Sequence, residues 1–356
     1  MRLTAAWVTI HPMSEGTVAR STSAPSPELV FHTITAFQQS AALRAGIDLD
    51  LFTAVGGGCR TVPEIAARCG ASERGIRCLC DFLTVIGFLA KSERGYENTP
   101  TSTAFLDTRS PSCIGSVARF MHDPRMMAPW QNLTEIVRQG TTSLPGEGTV
   151  DPENPVWVEF AHSMAPMMAP IAAPLGRIAL ADGSGPMRVL DIAAGHGLFG
   201  IEIAKQNPEA RIVALDWKAV LEVARANAEK AGVAARWQGL PGNAFDADFH
   251  GPYDVALLTN FLHHFDRATC VGLLKKVRES LAPGGRAATL EFIPNEDRVS
   301  PGMPAAFALT MLASTRAGDA YTYSEYDGMH REAGFARTRL HDMPPSPHRI
   351  VTAYTD

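Results

Sequence analysis

The sequence predicts an α/β protein, with a doubly wound, mainly parallel β-sheet preceded by a smaller, mostly helical domain. Two observations support this prediction. From Met187 onward, apolar strand-like runs alternate with amphipathic helical runs, which is typical of a parallel sheet with helices on both faces. Before Met187, helical periodicity dominates and one hairpin signal interrupts it. A chain of 356 residues is long enough for two or three domains with cores of their own.

The first part of the chain divides into a lead-in and a helical domain. Residues 1–27 are rich in Ser, Thr, Pro and Gly and are predicted to be disordered. Within residues 28–110, Thr61 and Glu64 form a capping box at a helix start, and Ser92–Gly95 is typical of a hairpin turn. Helices followed by a hairpin predict a winged-helix-like domain.

A helix capped by Ser72 is predicted over 73–89. Its composition decides between DNA binding and packing or dimerisation as the role of this domain. Apolar residues cover most of its surface, and only Arg74 and Arg77 are placed to meet phosphates. DNA readout needs polar side chains along an exposed face. The helix is therefore predicted to be buried on nearly all sides and to serve packing or dimerisation rather than DNA binding.

Residues 111–180 are predicted to be a helical linker rich in methionine and aromatic residues. Between two domains such residues can line an apolar pocket, although each of them singly is more typical of a core. Pro166, Pro170 and Pro174 remove helical hydrogen bonds, so their helix is expected to be kinked or broken.

The remaining residues, 181–356, are predicted to form the α/β domain. Strands are expected at 188–194, 210–217, 253–262, 286–294, 336–342 and 348–354. Helices are expected at 197–208, 219–232, 268–285, 304–313 and 324–333. Ligands of such sheets bind at the carboxyl ends of the strands, so the loops there are the candidate site.

A glycine-rich loop follows the first of these strands, in the stretch VLDIAAGHGLFG (189–200). Gly195, Gly197 and Gly200 match the dinucleotide fingerprint G-x-G-x-x-G. Glycines let the backbone approach a ligand closely, and Asp216 at the end of the next strand can accept hydrogen bonds from ribose hydroxyls. On these features a dinucleotide and a nucleoside coenzyme fit equally well.

Three further features favour a nucleoside coenzyme with a cationic end. Asp191 stands inside the strand before the glycines, where a carboxylate can meet an ammonium group or order water. Asn243 and Phe245 follow the expected third strand and are predicted to lie near an adenine. His263 and His264 end the fourth strand.

In these motifs the chain resembles the class I S-adenosylmethionine methyltransferases. More narrowly, it is similar to the small-molecule O-methyltransferases of the caffeic acid, isoflavone and acetylserotonin type and their bacterial natural-product relatives. The resemblance covers roughly residues 28–356, and DIAAGHG matches the motif D-x-G-G-G-x-G with Ala193 and Ala194 in place of two glycines. It implies a Rossmann-like methyltransferase domain, a homodimer formed through the N-terminal domain, S-adenosyl-L-methionine as coenzyme with S-adenosyl-L-homocysteine as product, and no metal.

The coenzyme-binding positions of this family carry over residue by residue. Asp216 matches the acid that binds the ribose, Trp217 is expected against the adenine, and Asn243 stands where the family often has an aspartate. An amide can still accept the hydrogen bond of the adenine amine there. The set implied by the resemblance is Asp191, Ala193, Gly195, Gly197, Asp216, Trp217, Gly242, Asn243, Ala244, Phe245, Thr259 and Asn260.

The chemistry implied by the resemblance is an in-line methyl transfer assisted by a general base. His263 matches the catalytic histidine of the family, and Glu291 matches a glutamate that supports it. The second supporting acid of the family falls near Ala320, which makes the preceding Asp319 a candidate substitute. An apolar acceptor pocket is predicted from Phe120, Met121, Trp130, Phe160, Met164, Met167, His264, Phe307 and Met311.

The composition excludes several other classes of protein. Hydrophobic residues make up 46% and charged residues 19%, as in a globular protein. The formal net charge of −5 speaks against general binding to nucleic acids or anionic membranes. No apolar run reaches the roughly 18 residues of a transmembrane helix, and the N-terminal run is too weak for a signal peptide. Six cysteines without zinc-type spacing are predicted to be reduced thiols of a cytoplasmic protein.

The predicted function is therefore O-methylation of a small aromatic or polyketide-like metabolite that carries a hydroxyl group. A C- or N-methyltransferase on the same scaffold stays open at this point, because such reactions do not always need a base. A winged-helix regulator that senses a ligand is a further alternative, against which the apolar second helix speaks. A nicotinamide oxidoreductase would be supported by the glycine motif alone.

Overall fold

The structure is a computed structural model that describes residues 25–180, 183 and 185–356. These residues form two compact units, of which the first ends at His122 and the second runs Asp123–Asp356. The predicted disordered lead-in lies outside the described residues except for its last three positions. None of the described helices has the length and apolar character that crossing a membrane requires.

The first unit contains the expected helices and hairpin. Its elements are α1 (Glu28–Asp48), α2 (Leu51–Gly56), α3 (Val62–Cys69), α4 (Glu73–Val85), β1 (Leu89–Ser92), β2 (Gly95–Asn98), α5 (Pro100–Phe105) and α6 (Val117–Met121). The capping box of Thr61 and Glu64 begins α3, and the Ser72 side chain accepts a hydrogen bond from the Gly75 amide at the start of α4. Strands β1 and β2 pair antiparallel, with Ser92 opposite Gly95. The winged-helix-like prediction is confirmed.

In the single chain, α4 is buried on one face, so the predicted burial on nearly all sides stays a prediction that concerns the dimer. Ile76, Cys80 and Leu83 line one buried face, whereas Val85 is 82% exposed. The helix also ends at Val85 rather than at 89, since Gly87 adopts a left-handed φ of 85° and redirects the chain into the hairpin. Apolar composition predicted burial, but a single face of the helix is sufficient for the small core of this unit.

The second unit is the expected α/β domain. Its helices are α7 (Pro124–Gln131), α8 (Leu133–Gln139), α9 (Val156–Ser163), α10 (Ala165–Leu180), α11 (Leu198–Gln206), α12 (Lys218–Lys230), α13 (Arg267–Ser280), α14 (Gly302–Ser314) and α15 (Tyr323–Glu332). Its strands are β3 (Met187–Ile192), β4 (Ala210–Asp216), β5 (Trp237–Pro241), β6 (Tyr253–Thr259), β7 (Leu281–Glu291), β8 (Arg337–Asp342) and β9 (Arg349–Tyr354). They form one sheet in the order β5-β4-β3-β6-β7-β9-β8, in which β3 to β7 are parallel and the last two strands are antiparallel. The predicted doubly wound sheet is confirmed.

The strand order positions the functional loops. The chain moves outward from β3 through β4 to β5, and then returns to the other side of β3 for β6 and β7. Ligands of open α/β sheets bind at such a reversal, outside the carboxyl ends of the strands. Strands β3 and β6 are apolar and almost completely buried, as expected for a sheet covered on both faces. Polar side chains at their ends therefore stand out as candidates for function.

Two details of the predicted helices are corrected. Helix α10 is not broken at Pro170 and Pro174, because its buried face packs against α11 and this packing offsets the missing backbone hydrogen bonds. Helix α13 ends at Ser280 instead of 285, since Leu281 is buried and pairs with Tyr253 as the first residue of β7.

Candidate active site

The glycine-rich loop after β3 turns sharply at three positions. Ala193, Gly195 and Gly197 have left-handed φ angles of 52°, 56° and 72°. At Gly197 a side chain would be strained by the backbone and would also place its Cβ 2.9 Å from the Cβ of Ala224. Glycine at this position therefore lets the loop pack closely against α12. The backbone of the loop lies where the strand order of the sheet reverses.

Asp216 joins this loop to the end of β4. One carboxylate oxygen accepts a hydrogen bond from the Gly195 amide at 2.8 Å and the other accepts one from the Trp217 amide at 2.7 Å. Burial raises the pKa of Asp216 to about 6, although these two amides oppose the shift. Each carboxylate oxygen can accept two hydrogen bonds, so both retain capacity for ribose hydroxyl groups.

Asp191 is completely buried in β3. Its Oδ2 accepts a hydrogen bond from the Gly200 amide at 3.1 Å, and its Oδ1 has no hydrogen-bond partner among the described residues. Burial raises the pKa of this carboxyl group to about 7. A Cβ at Gly200 would lie 2.9 Å from Oδ2, so glycine allows this contact. Asp191 thus anchors the first turn of α11 to the strand that precedes it.

The remaining coenzyme candidates lie at the ends of β5 and β6. The Gly242 amide donates to the Asp216 backbone oxygen at 3.1 Å, and the Asn243 side chain accepts a hydrogen bond from the Phe245 amide at 3.0 Å. Asn260 has a left-handed φ of 53°, and its side-chain oxygen is buried without a partner among the described residues. Ala244 and Thr259 are buried. The loops after β3, β4, β5 and β6 therefore hold these residues at one edge of the sheet.

His263 and Glu291 form a buried hydrogen-bonded pair. Glu291 ends β7 and is completely buried, and His263 lies in a 3-10 turn after β6. One Glu291 oxygen accepts the Phe261 and Leu262 amides at 3.0 and 2.9 Å, and the other contacts Nδ1 of His263. Since a carboxylate faces Nδ1, the ring proton lies there and Nε2 is the nitrogen that can accept a proton.

His264 lies directly beside this pair. Its ring centroid is 4.3 Å from that of His263 and 5.2 Å from that of Trp157. Burial, together with the neighbouring His263, lowers the pKa of His264 well below the ordinary value. His264 is therefore a neutral imidazole.

Asp319 makes different contacts from those of a second supporting acid. Its backbone amide donates to the His263 carbonyl at 3.0 Å, whereas its carboxylate accepts the Ala320 amide at 2.8 Å and pairs with Arg298 at 3.3 Å. Ala320 itself is buried. Within the part of the chain that the structure describes, Glu291 is the carboxylate that holds the imidazole.

Among the predicted pocket residues, two have contacts that place them at the site. The Phe307 ring is 4.9 Å from His263, and a Cβ at Gly195 would lie 3.6 Å from Phe160. Met164 and Met311 are buried, Met167 is half-buried, and Trp130 on α7 is 39% exposed. Phe120 and Met121 belong to α6 of the first unit, where Phe120 is buried and Met121 is exposed.

Sequence reasoning did not place Trp157, Met168 and Phe292 at the site. Trp157 contacts His264, the Met168 sulfur lies 4.0 Å from the Asn260 side-chain nitrogen, and the Phe292 ring packs between Phe307 and His348. In the sequence, Trp157 and Met168 were indicated only by their position in the linker 111–180, which is rich in methionine and aromatic residues. Within residues 25–180, 183 and 185–356, no three His, Cys, Asp or Glu side chains are grouped so that they could hold a metal ion.

The fold and this site define a class of enzyme, the class I α/β methyltransferases. The comparisons with known proteins specify the family. Residues 176–336 match the O-methyltransferase domain and residues 31–108 match the O-methyltransferase dimerisation domain. A crystal structure from Nostoc punctiforme that is assigned to the O-methyltransferases is 45% identical, with a TM-score of 0.90, over 93% of this chain and 100% of that one. The chain belongs to the S-adenosylmethionine-dependent O-methyltransferase family.

Two further proteins extend this comparison. The 3-hydroxy-5-methyl-1-naphthoate 3-O-methyltransferase of Streptomyces sahachiroi is 27% identical over 88% of this chain and 90% of its own length. Human N-acetylserotonin methyltransferase in complex with S-adenosylmethionine has the same fold, with a TM-score of 0.80 and 21% identity over 94% of this chain and 99% of that one.

Proposed function

We propose that this O-methyltransferase methylates a hydroxyl group of a small aromatic or polyketide-like metabolite, with His263 as the general base. The buried pair of His263 and Glu291 carries the proposal, because it orients an imidazole with a free Nε2 at the carboxyl edge of the sheet. The aromatic rings around it suit a planar acceptor. The Streptomyces sahachiroi relative, by its name, methylates a hydroxyl of a naphthoate.

The residues at the glycine-rich loop fit S-adenosylmethionine. The left-handed backbone at Gly195 and Gly197 allows close approach of a ligand, and Asp216 retains lone pairs for ribose hydroxyls. The unpartnered side-chain oxygen of Asn260 is a further acceptor at the same edge. When bound there, the coenzyme supplies an electrophilic methyl group on a sulfonium. Trp217, Asn243 and Phe245 are the proposed adenine neighbours.

The catalytic role of the protein is to remove the acceptor proton. A phenolic oxygen is a poor nucleophile while protonated, and Nε2 of His263 accepts that proton. The resulting imidazolium is stabilised by Glu291, whose second oxygen stays bound to the Phe261 and Leu262 amides. Neutral His264 adds no opposing positive charge. This base favours a hydroxyl acceptor over carbon or nitrogen, and NMR of the product locates the new methyl group.

We infer that the first unit forms a homodimer. It matches the family's dimerisation domain, and α1 exposes a row of large apolar side chains. They are between 58% and 75% exposed in the single chain and comprise Leu29, Val30, Phe31, Ile34 and Phe37. Val85 of α4 is a further exposed apolar side chain of this unit, at 82%. A patch of this kind is typical of a protein interface. A cytoplasmic location and the division into 28–110, 111–180 and 181–356 stay predictions from the sequence.

Substitution of Asp216 by asparagine is expected to weaken S-adenosylhomocysteine binding by about tenfold to a hundredfold, because the amide loses charge-assisted acceptors for the ribose. Since burial raises the pKa of Asp216 to about 6 and the ribose hydroxyls favour the ionised form, wild-type affinity should rise from pH 5 to pH 7. The variant should lack that part of the pH dependence. Calorimetric titration measures both effects, with Asp248→Asn, an exposed position, as control. If wild type and Asp216→Asn bind S-adenosylhomocysteine with equal affinity, Asp216 does not contact the coenzyme.

The double variant Phe31→Asp/Phe37→Asp is expected to raise the dissociation constant of the dimer by roughly a hundredfold or more, since two aromatic side chains of the inferred interface become charged. Sedimentation velocity at micromolar protein should show a dimer for wild type and a monomer for the variant. Glu93→Gln, in the exposed hairpin turn, serves as the control. A wild-type chain that sediments as a monomer contradicts the inference, as does a variant that remains a dimer.

A further inference from the structure

Lys276 of α13 is bound to the loop that follows β5. Its Nζ donates hydrogen bonds to the Ala244 carbonyl at 3.1 Å and to the Phe245 carbonyl at 2.9 Å. It also lies 4.4 Å from the centre of the Phe249 ring, which is within the range of a cation–π contact. The side chain is half-buried, whereas the neighbouring Lys275 is exposed, as lysines on helix surfaces usually are. Two hydrogen bonds to one loop distinguish Lys276 from a solvated lysine.

The two carbonyls of this loop depend on the lysine ammonium group. No backbone amide in the described part of the chain donates to either of them. Ala244 is buried, and a buried carbonyl without a donor is costly. An ammonium group carries three donors, so one lysine can satisfy both carbonyls. Without it they would have to turn toward water, and the loop would change its conformation.

The same loop fixes the side chain of Asn243. Because the C=O and N–H of a trans peptide point in opposite directions, a bond that holds the Ala244 carbonyl toward Lys276 directs the Phe245 amide away from it. That amide donates to Oδ1 of Asn243 at 3.0 Å, and Nδ2 of Asn243 donates to Asp246 at 3.1 Å. Oδ1 retains a second lone pair for a further donor. The Asn243 amide is thus held at both ends, in part by a peptide that Lys276 orients.

We propose that Lys276 is a positioning residue for recognition of the adenine amine, and that it acts through Asn243. The inference rests on the proposed location of the adenine beside Asn243 and Phe245. The amine of adenine can donate to the free lone pair of Oδ1. A base with an oxygen in place of the amine would set two acceptors against each other, which is unfavourable. Lys276 does not touch the coenzyme in this arrangement but sets how well adenine is distinguished from hypoxanthine.

The test uses two ligands that differ at this one position, S-adenosylhomocysteine and S-inosylhomocysteine. Their dissociation constants are measured by calorimetric titration of the purified full-length protein, and the ratio of the two gives the preference for adenine. Wild type should prefer the adenine compound by about tenfold to a hundredfold. Lys276→Met keeps an unbranched apolar side chain against Phe249 and removes the donors. We expect it to lower the preference by about fivefold to twentyfold.

Three further variants show whether the lysine acts as proposed. Lys275→Met changes the exposed neighbour and should keep the wild-type preference. Lys276→Arg keeps several donors on a long side chain and should retain most of it. Asn243→Ala should lose the preference by itself, and addition of Lys276→Met to it should change the ratio no further, since the two residues act in series.

The outcomes separate this inference from the proposed coenzyme site. A merely structural role of Lys276 would weaken both ligands by the same factor, and that result overturns the proposal. If Asn243→Ala loses the preference and Lys276→Met retains it, the role of Lys276 fails while the adenine site stands. Equal ratios in wild type and Asn243→Ala overturn both. Thermal unfolding verifies each fold, and Lys276→Gln, with its shorter donor, replaces Lys276→Met if that variant does not fold, with the same expected direction.

Discussion

Replacement of Glu291 by glutamine is expected to lower kcat by about a thousandfold to ten-thousandfold with little loss of folding. The amide oxygen of glutamine can still accept the Phe261 and Leu262 amides that the carboxylate accepts now. The amide nitrogen would face Nδ1 of His263 and donate to it. The ring proton would then move to Nε2, and the imidazole could no longer accept the proton of the substrate.

The measurement for Glu291→Gln is single-turnover methyl transfer at saturating coenzyme and acceptor, with thermal unfolding to show an intact fold. Glu296→Gln is the matched control, because Glu296 follows the same strand but bonds the exposed Ser324. A Glu291→Gln enzyme that keeps more than about a tenth of wild-type kcat would show that the carboxylate does not set the tautomer of His263.

Replacement of His263 by alanine is expected to lower kcat by about a hundredfold to ten-thousandfold, since the general base is lost. Binding of S-adenosylhomocysteine should change little, because His263 is not one of the coenzyme candidates and most of these lie on the loops after β3, β4 and β5. The double variant with Glu291→Gln should be no worse than the more damaged single variant, since the two residues act as one unit.

Turnover of His263→Ala is compared with that of His162→Ala, which removes an exposed histidine of α9. Added imidazole should restore part of the lost activity only in His263→Ala, as it can enter the space left by the side chain. Full activity of His263→Ala would show that His263 is not the general base. The reaction would still be a methyl transfer.

Much of the site could be predicted because its signals are local. Left-handed backbone at Gly195 and Gly197, and an acidic residue that ends the next strand, are encoded within a few positions of the chain. The pairing of His263 with Glu291 was expected from the family resemblance, and the parallel register of β6 with β7 brings the two strand ends together.

The partners of other predicted site residues depend on how side chains pack in the folded protein. Asp191 was expected at the coenzyme, and its Oδ2 is bound to Gly200. Asp319 was a candidate support for His263, and Arg298 pairs with its carboxylate. The Arg298 contact does not follow from sequence spacing, because it joins two loops that only the packing of the folded unit brings together.

The sequence by itself determined the order of strands and helices, the turn at the glycines and the polar residues at the strand ends, since periodicity, caps and backbone sterics act over short distances. Only the tertiary structure decided that α4 buries a single face and that Trp157 lies against His264. Contacts between side chains far apart in the chain form when whole elements pack, and their geometry is a property of the folded unit rather than of any segment.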